Sequence, residues 1–444
     1  MNSGALVIFA IGALALLVVS RRWAPLPLIA AGCYLGLGEG VEIGAFHFTT
    51  LRLLLVVGTI RVIIRGERLP GGFIGIDLFM VLWAIWCVVS CRFHWDPRGD
   101  LVFKLGIVFS YCGLYFLLRI FITSFSDLLP LARSITFALI PIAVTMLYEQ
   151  ATMQNLFSTI TNVPAVSMIR DGKIRAFGPF AHPILAGTAG AAVLPFFASL
   201  WRHARAIAIG GSLVALTMVF ASGSSGPVMS ALSGLGALFF WSHRRRMAAM
   251  RWAAVCVYIV LDIVMKQPAY FIIARMDVTG SSTGWHRAAL IQASIEYLDE
   301  WWFAGTDYTR HWMPSGVSWN PNHTDITNHY LQMGVMGGLP LMYLFIAAIA
   351  LAFVYVGRRV KPVAGVRSND QFVVWGLGSA LFGVATTCVS VSFFDQSVMF
   401  LYLILAAIGS ICHRQLPSSD VGVPRVQRRW VAVEPVCWGE KVRV

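Results

Sequence analysis

The sequence predicts an all-α fold: a polytopic membrane helix bundle of about 12–13 transmembrane helices, with an extracytoplasmic cap formed by two long loops. Three observations carry that expectation. Of the 444 residues, 57% are hydrophobic and only 12% are charged, whereas a soluble domain is roughly 45–50% apolar and about 25% charged. Apolar segments long enough to cross ~30 Å of hydrocarbon recur along the chain. Lys and Arg gather in alternate connections between them. This composition excludes a disordered chain, a nucleic-acid-binding domain and an ordinary soluble enzyme. The net charge of +13 therefore reads as cytoplasmic loops, with membrane lipids and no nucleic acid as partners.

The first segment, 4–20, has no Lys or Arg before it and is followed by Arg21 and Arg22. A signal peptide carries its positive charge first, so the N-terminus is expected outside and uncleaved. Segments 24–38, 48–64, 73–91, 101–123, 128–148, 180–200, 205–221, 226–242, 251–265, 329–357, 371–391 and 396–412 follow. The second and tenth of the series are short, and a re-entrant path is an alternative for one of them. With the N-terminus outside, the inner connections hold Arg21, Arg22, Arg61, Arg65, Arg68, Arg119, Arg133, Arg202, Arg205, Arg244, Arg245, Arg246, Arg251, Arg358, Arg359, Lys361 and Arg367. Adding the tail accounts for most of the 34 Lys and Arg. A count wrong by one helix scrambles that alternation. From His413 the chain is basic and lacks apolar periodicity. A loose cytoplasmic tail over 413–444 is thus expected after a single transmembrane domain over 1–412.

The eight cysteines lie mostly in or beside apolar runs. Cys87 and Cys91, one helical turn apart, read as small buried apolar residues rather than a metal pair. No outer loop holds a pair suited to a disulfide scaffold.

Two outer loops, 149–179 and 266–328, are too long to be simple connectors, and function concentrates on such loops. In the second, Gly284 to Glu300 reads as an amphipathic helix capped by Ser281, Ser282 or Thr283. Its expected apolar stripe is Trp285, Ala288, Ala289, Ile291, Ile295 and Leu298, lying near the membrane surface. Trp301 and Trp302 read as an interfacial belt, and Trp312 and Trp319 as belt or sugar-stacking residues.

Polar groups concentrate at three places in these loops. The run Ile174-Arg175-Ala176-Phe177-Gly178-Pro179-Phe180-Ala181-His182-Pro183 leads into a helix. Thr283-Gly284-Trp285-His286-Arg287 opens the amphipathic one. Asn320-Pro321-Asn322-His323-Thr324-Asp325-Ile326-Thr327-Asn328-His329-Tyr330-Leu331 runs into Gly334 to Pro340. Arg175, Arg287 and His329 fall at or beside helix starts, which add positive potential and free amide donors. Arginine adds a donor fork suited to phosphate, so the set suits an anion with an imidazole nearby.

The order of these signals, over roughly 165–350, resembles the O-antigen ligase and O-antigen polymerase (Wzy-type) superfamily of polytopic membrane glycosyltransferases. Arg175 precedes a Gly-Pro-rich helix start with Gly178 and His182-Pro183. Ser222-Gly223-Ser224-Ser225-Gly226 forms a Ser-Gly-Ser turn between two membrane helices. Arg287 is a second Arg near an amphipathic helix. Asn328-His329-Tyr330-Leu331 with Gly334 to Gly338 closes the loop. Two departures stand out. The family often shows Pro-Asn where this chain has His182-Pro183-Ile184, and a basic residue where it has Ser225.

The resemblance implies transfer of a glycan from a polyprenyl diphosphate carrier to a sugar hydroxyl at the extracytoplasmic face of the bacterial cytoplasmic (inner) membrane. It implies no metal and no cofactor. Arg175 and Arg287 are then expected to bind the diphosphate, where preorganised cations stabilise developing charge. His329 is expected to act on the acceptor hydroxyl. His182, His286, His323, Asp325, Asn328 and Tyr330 are expected to line the site. Flippase and chain-length partners are implied likewise. Polymerisation of exopolysaccharide or O-antigen repeat units is preferred to ligation onto a lipid A core acceptor, because the chain departs from the ligase-like Pro-Asn pattern.

Plainer roles compete with each assignment. Arg175 could anchor its loop to lipid headgroups, Arg287 could lie on a surface helix face, and His329 could serve the helix cap. A His323-Asp325-His329 metal site can be drawn, but its spacing matches no familiar ligand pattern. Asp325 could instead orient a histidine. A secondary transporter is the alternative of another class, and a non-enzymatic envelope scaffold a third.

Overall fold

The computed structural model describes residues 3–36, 39–44, 46–275, 284–317, 320–361 and 368–412. The expected tail over 413–444, the expected caps Ser281, Ser282 and Thr283, and Trp319 and Arg367 lie outside the described residues. Every apolar segment of the sequence forms a helix. These are α1 (Ser3–Val18), α2 (Pro25–Tyr34), α3 (Thr50–Arg65), α4 (Gly75–Val89), α5 (Pro97–Phe121), α6 (Leu128–Thr152), α7 (Pro183–Ser199), α8 (Arg205–Ala221), α9 (Ser225–Phe239) and α10 (Met247–Val264). Short α11 (Ile272–Arg275), α12 (Gly284–Glu296) and α13 (Leu298–Trp301) follow. The chain then enters α14 (His329–Arg359), α15 (Ser368–Thr387) and α16 (Val398–Cys412). Two antiparallel hairpins, β1 (Gly40–Ile43) with β2 (Phe46–Thr49) and β3 (Met168–Arg170) with β4 (Lys173–Arg175), and several short 3₁₀ turns lie between the helices.

Six stretches are long and apolar enough to cross a membrane: Gly75–Phe93, Pro97–Phe121, Phe125–Thr152, Pro183–Arg202, Ser225–Val264 and His329–Arg359. They fit a multi-pass membrane protein. The helices α1, α8 and α16 are equally apolar but shorter.

Small residues decide what lies at the centre. Helix α7, PILAGTAGAAVLPFFAS, is buried on nearly every side among α8, α9 and α15. A Cβ on its Gly190 would stand 2.6 Å from the Ala215 carbonyl oxygen, so the glycine sets how closely α8 approaches. Helix α16 is buried along its whole length. Helix α10 buries nothing and is a peripheral element, apolar on the outside.

At the end of the bundle that joins α5 to α6, charges are paired inside the protein. Arg119 Nε donates to Asp77 Oδ1 at 2.7 Å, Tyr115 donates to the same oxygen at 2.6 Å, and both members of the ion pair are fully buried. Arg61 pairs with Glu67 at 3.0 Å and caps carbonyls of Leu16 and Val19. Arg61 and Arg119 are therefore interior groups and not the loop charges that the sequence suggests. Their guanidinium donors satisfy carboxylates and helix-end carbonyls that would otherwise be stranded in apolar surroundings.

The opposite end, here the loop end, carries both long loops. The larger loop docks onto α4, α5 and α14. Asp307 accepts from the Trp95 N–H at 2.6 Å and meets His94 Nδ1. Lys104 Nζ reaches His94 Nε2 at 3.0 Å and Asp100 at 2.7 Å. Helix α14 breaks at Gly337–Gly338. There the Leu339 N–H donates to the Trp302 carbonyl at 2.7 Å, and the Trp86 indole donates to the Gly337 carbonyl at 2.7 Å.

Helix α12 differs from its expected face. Ala288, Leu290 and Ala293 are buried, with Leu290 and Ala293 packed with Trp301, Trp312 and Met313. Trp285, Ile295 and Leu298 of the expected stripe are exposed. The helix is apolar on two faces, one turned to its own loop and one left open. Trp301 is buried, with its indole bonded to the Ser294 carbonyl at 2.9 Å. It belongs to this small core and not to a belt; Trp302 remains exposed.

Candidate anion site at the loop end

The site begins with a hairpin. Asp171 (φ 52°) and Gly172 (φ 73°) form its turn, and two successive positive φ values match the twist of the flanking strands. The register pairs Met168 with Arg175 and Arg170 with Lys173. Cross-strand partners and alternate residues share a face, so Arg170, Lys173 and Arg175 lie on one side of the hairpin.

From Arg175 the chain turns towards α7 under tight control. Glu149, fully buried at the end of α6, accepts the Phe177 N–H at 3.1 Å, the Gly178 N–H at 2.9 Å and the Ser167 hydroxyl at 3.0 Å. Gln150 Nε2 donates to the carbonyls of Ile174 (2.8 Å) and Ala221 (2.6 Å). Asn155 Nδ2 donates to the Gly178 carbonyl at 2.7 Å.

The Ser222–Ser225 turn between α8 and α9 closes against this segment. Gly223, at φ 55°, has space for a Cβ only 3.0 Å from Arg175 Cγ. Arg175 Nη2 donates to Ser224 Oγ at 2.6 Å, while its Nε is buried without a partner. Two motifs about fifty residues apart thus meet as one structure.

Arg175 is 7% exposed. Burial lowers its pKa, the Arg170 charge adds to that, and Asp171 opposes it; a guanidinium stays charged even so. His182 caps α7, its Nδ1 accepting the Ile184 N–H at 3.2 Å. Burial, and then the Arg175 and Arg170 charges, push the His182 pKa down to about 4. Arg287, half-buried on α12, is also lowered by burial and by the Arg170 charge. Its Nε has no partner. Among the described residues neither Arg175 nor Arg287 forms an ion pair. Arg170, Arg175 and Arg287 therefore make one cationic neighbourhood beside a neutral His182, with Asp171, 3.8 Å from Arg170, as the acid that bears on it.

His329 sits elsewhere. It opens α14 behind Asn328, whose side chain accepts the N–H groups of Tyr330 (3.0 Å) and Leu331 (3.1 Å). The His329 ring is fully buried between Phe345 and Phe393. Its Nδ1 accepts the Phe393 N–H at 3.2 Å and lies 3.3 Å from Gln332 Oε1, and its Nε2 has no partner. The Tyr330 hydroxyl donates to the Ala385 carbonyl at 2.9 Å. Asn328, His329 and Tyr330 thus join α14 to the α15–α16 connection, and no direct contact links them to Arg175 or Arg287.

The remaining expected residues serve the large loop. His286 Nε2 meets the backbone carbonyl of Asp325 at 3.1 Å, so Asp325 holds this histidine by its backbone and not by its carboxylate. His323 Nδ1 meets Thr309 Oγ1 at 3.2 Å; burial lowers its pKa against the pull of Asp307.

Three contributors go unnoticed in the sequence reading. Arg170 was signalled by the Asp171-Gly172 pair between two short alternating runs, a hairpin signature. Glu149 and Gln150 were signalled by polar residues at the end of an apolar helix. Compared with known protein families and with curated proteins, the chain matches none.

Proposed function

We propose that this chain is a membrane glycosyltransferase that moves a glycan from a polyprenyl diphosphate carrier to a sugar hydroxyl, most simply as a polymerase of repeat units. The observation that carries the reading is the loop-end cation cluster. Arg175 is buried and Arg287 half-buried, each with a shielded, partnerless Nε; both lack carboxylate partners and both feel the charge of Arg170. Gathering like charges in a desolvated place is costly unless an anion occupies it. A diphosphate matches both the charge and the fork geometry of arginine.

In this reaction the acceptor oxygen bonds to the anomeric carbon as the bond from that carbon to the diphosphate oxygen breaks. Negative charge grows on the departing diphosphate, and the acceptor proton passes to one of its oxygens. Arg175, held rigid by Ser224 and by the Glu149-pinned turn, stabilises that charge without reorganisation. Arg287 and Arg170 add to the field. His329 serves the acceptor. Its Nδ1 is engaged by the Phe393 N–H and Gln332 Oε1, and the partnerless Nε2 is the atom left to orient the hydroxyl. An acceptor reaches that nitrogen when the Phe345–Phe393 packing opens.

A strain lacking the chain, complemented with wild type, Arg175→Ala, Arg287→Ala or His329→Ala, tests this. Surface polysaccharide and carrier-linked glycan are extracted and sized. Single repeat units building up on the carrier mean polymerase, and long unattached chains mean ligase. Normal glycan from all three variants at normal protein level removes the reading. Proton- or sodium-driven uptake of a solute into vesicles would favour a transporter instead.

A further inference from the structure

A second place at the loop end has the features of a binding site. A cavity of about 180 Å³ lies between α2, α3, α5 and the segment entering α16. Its walls are mainly apolar, with Leu35, Leu51, Phe103, Ile107, Leu114 and Val398 among them. Polar groups enter at few points.

Arg52, in the first turn of α3, is the cation. Its Nε donates to Ser110 Oγ at 3.1 Å and its Nη1 to the His47 carbonyl at 2.6 Å. Its Nη2 lies over Gly106, where a Cβ would come within 2.4 Å of it. No acid among the described residues pairs with Arg52. The start of the sixteen-residue α3 adds its own positive potential. Gln396 is 1% exposed, and its Oε1 is buried with no hydrogen-bond partner. Its Nε2 donates to the Pro179 carbonyl at 2.7 Å, within the turn that runs from Arg175 to His182. Gln332 also lines the cavity, and its Oε1 meets the Ser392 hydroxyl and His329 Nδ1. The cavity therefore lies between the cationic turn and the buried histidine.

We infer that this cavity binds the apolar chain of an anionic lipid, with Arg52 gripping the headgroup and Gln396 Oε1 taking a headgroup hydroxyl. The walls select the chain. A sugar ring would leave its hydroxyls unpaired against leucine and phenylalanine, whereas a hydrocarbon chain gains by leaving water. An unpaired guanidinium beside a helix start selects an anion. A polyprenyl phosphate and an ordinary anionic phospholipid share this chemistry. Naming the lipid as the glycan carrier rests on the transferase reading; the binding itself does not.

The test uses the full chain in phosphatidylcholine nanodiscs, with dodecyl phosphate and dodecanol as probes. Thermal unfolding and native mass spectrometry report stabilisation and retained probe. Dodecyl phosphate is expected to raise the unfolding temperature and be retained, and dodecanol is not. Arg52→Gln should weaken dodecyl phosphate about tenfold, as loss of a charged hydrogen bond does. Ile107→Trp, which fills the cavity, should abolish its retention. Equal effects of the two probes on the wild type overturn the inference even if neither variant folds. So does unchanged binding by both variants. Competition then separates the sources. Displacement of the probe by polyprenyl phosphate at lower concentration than by phosphatidylglycerol supports a carrier site. The reverse order supports a bulk-lipid site, and displacement by neither overturns the inference. Arg52→Gln that loses the probe while glycan assembly persists leaves the lipid site standing and detaches it from transfer.

Discussion

At the residue scale, Arg175 is the side chain with the most to lose. Its Nη2 is fixed on Ser224, the turn that follows it is pinned by Glu149 through the N–H groups of Phe177 and Gly178, and its Nε is free for a ligand. Arg175→Ala should lower glycan transfer by about 10²–10³-fold, the usual cost of one preorganised donor to a developing oxyanion. Arg175→Lys should recover only part of it, because a lysine cannot bond Ser224 and a phosphate as a fork. Initial rates of carrier-linked glycan turnover in isolated membranes check both. His182 gives a pH signature. Its native pKa is pushed to about 4, and an unfolded histidine titrates near ~6.5. Between these values the unfolded state binds more protons, so stability rises with pH there. The His182 contribution is complete above ~6.5 and is lost as pH falls toward 4. Protonation would also remove the lone pair that accepts the Ile184 N–H. Thermal unfolding from pH 7 down to 4 should therefore show a steeper loss for wild type than for His182→Asn, which keeps a cap without titrating. Equal slopes would refute it. Arg175 and His182 were legible because each sits in a compact local motif. Glu149 stood out only as a polar residue at a helix end, and its role did not show, because its partners lie in the following loop and only the folded turn brings their N–H groups to its carboxylate.

At the element scale, helix α14 shows what the glycine-rich motif does. The helix starts at His329, as the sequence reading has it, but the run from Gly334 to Gly338, expected as part of the helix start, carries a break at Gly337–Gly338. Pro340 has no N–H to continue the ladder, and the irregular segment from Trp302 to Thr306 crosses the gap. It supplies the Trp302 carbonyl to Leu339 at 2.7 Å, and the Thr306 N–H meets the Val335 carbonyl at 2.9 Å. The crossing is close. A Cβ on Gly338, at φ 74°, would fall 2.2 Å from the Phe303 carbonyl oxygen. Gly338→Ala is expected to cost about 1–3 kcal/mol from the left-handed backbone alone, and more from the overlap with Phe303. It should also release the large loop from α14, so limited proteolysis between residues 302 and 309 should speed up alongside a fall in the unfolding temperature. If the variant kept wild-type protease resistance, the crossing would not be what holds the loop. The spacing of glycines announces a break but not its partner, since the segment that fills it comes from a loop without periodicity.

At the scale of the whole molecule, the two ends of the bundle treat charge in opposite ways. Where α5 meets α6, buried arginines have carboxylates: Arg119 with Asp77, Arg61 with Glu67. At the loop end, Arg175 and Arg287 have none, and their unused nitrogens are withdrawn from water. Arg119 also keeps a partnerless Nη1, so what separates the two ends is the counter-charge: the first has its carboxylates, and the second lacks an anion. Composition and apolar periodicity made the helices legible, because any chain crossing hydrocarbon must satisfy its backbone internally. They could not show which arginines turn inward, since Arg119 beside a loop and Arg119 paired with Asp77 leave the same trace in a charge count. The contrast predicts different mutational behaviour at the two ends. Asp77→Asn leaves Arg119 buried without its counter-charge and disturbs the Tyr115 bond as well. It should destabilise the chain by about 3–5 kcal/mol, the range for breaking a buried pair. Replacing both partners, as Asp77→Leu with Arg119→Met, should restore most of that loss, because the desolvation cost disappears with the charges. Arg287→Met, by contrast, should leave stability unchanged or raised, since it relieves repulsion from Arg170, while glycan transfer falls. Thermal unfolding of the three variants in one detergent decides the matter. An Arg287→Met chain that unfolds as early as Asp77→Asn would mean that Arg287 holds the fold together, and the loop-end cations would lose their claim to await a ligand.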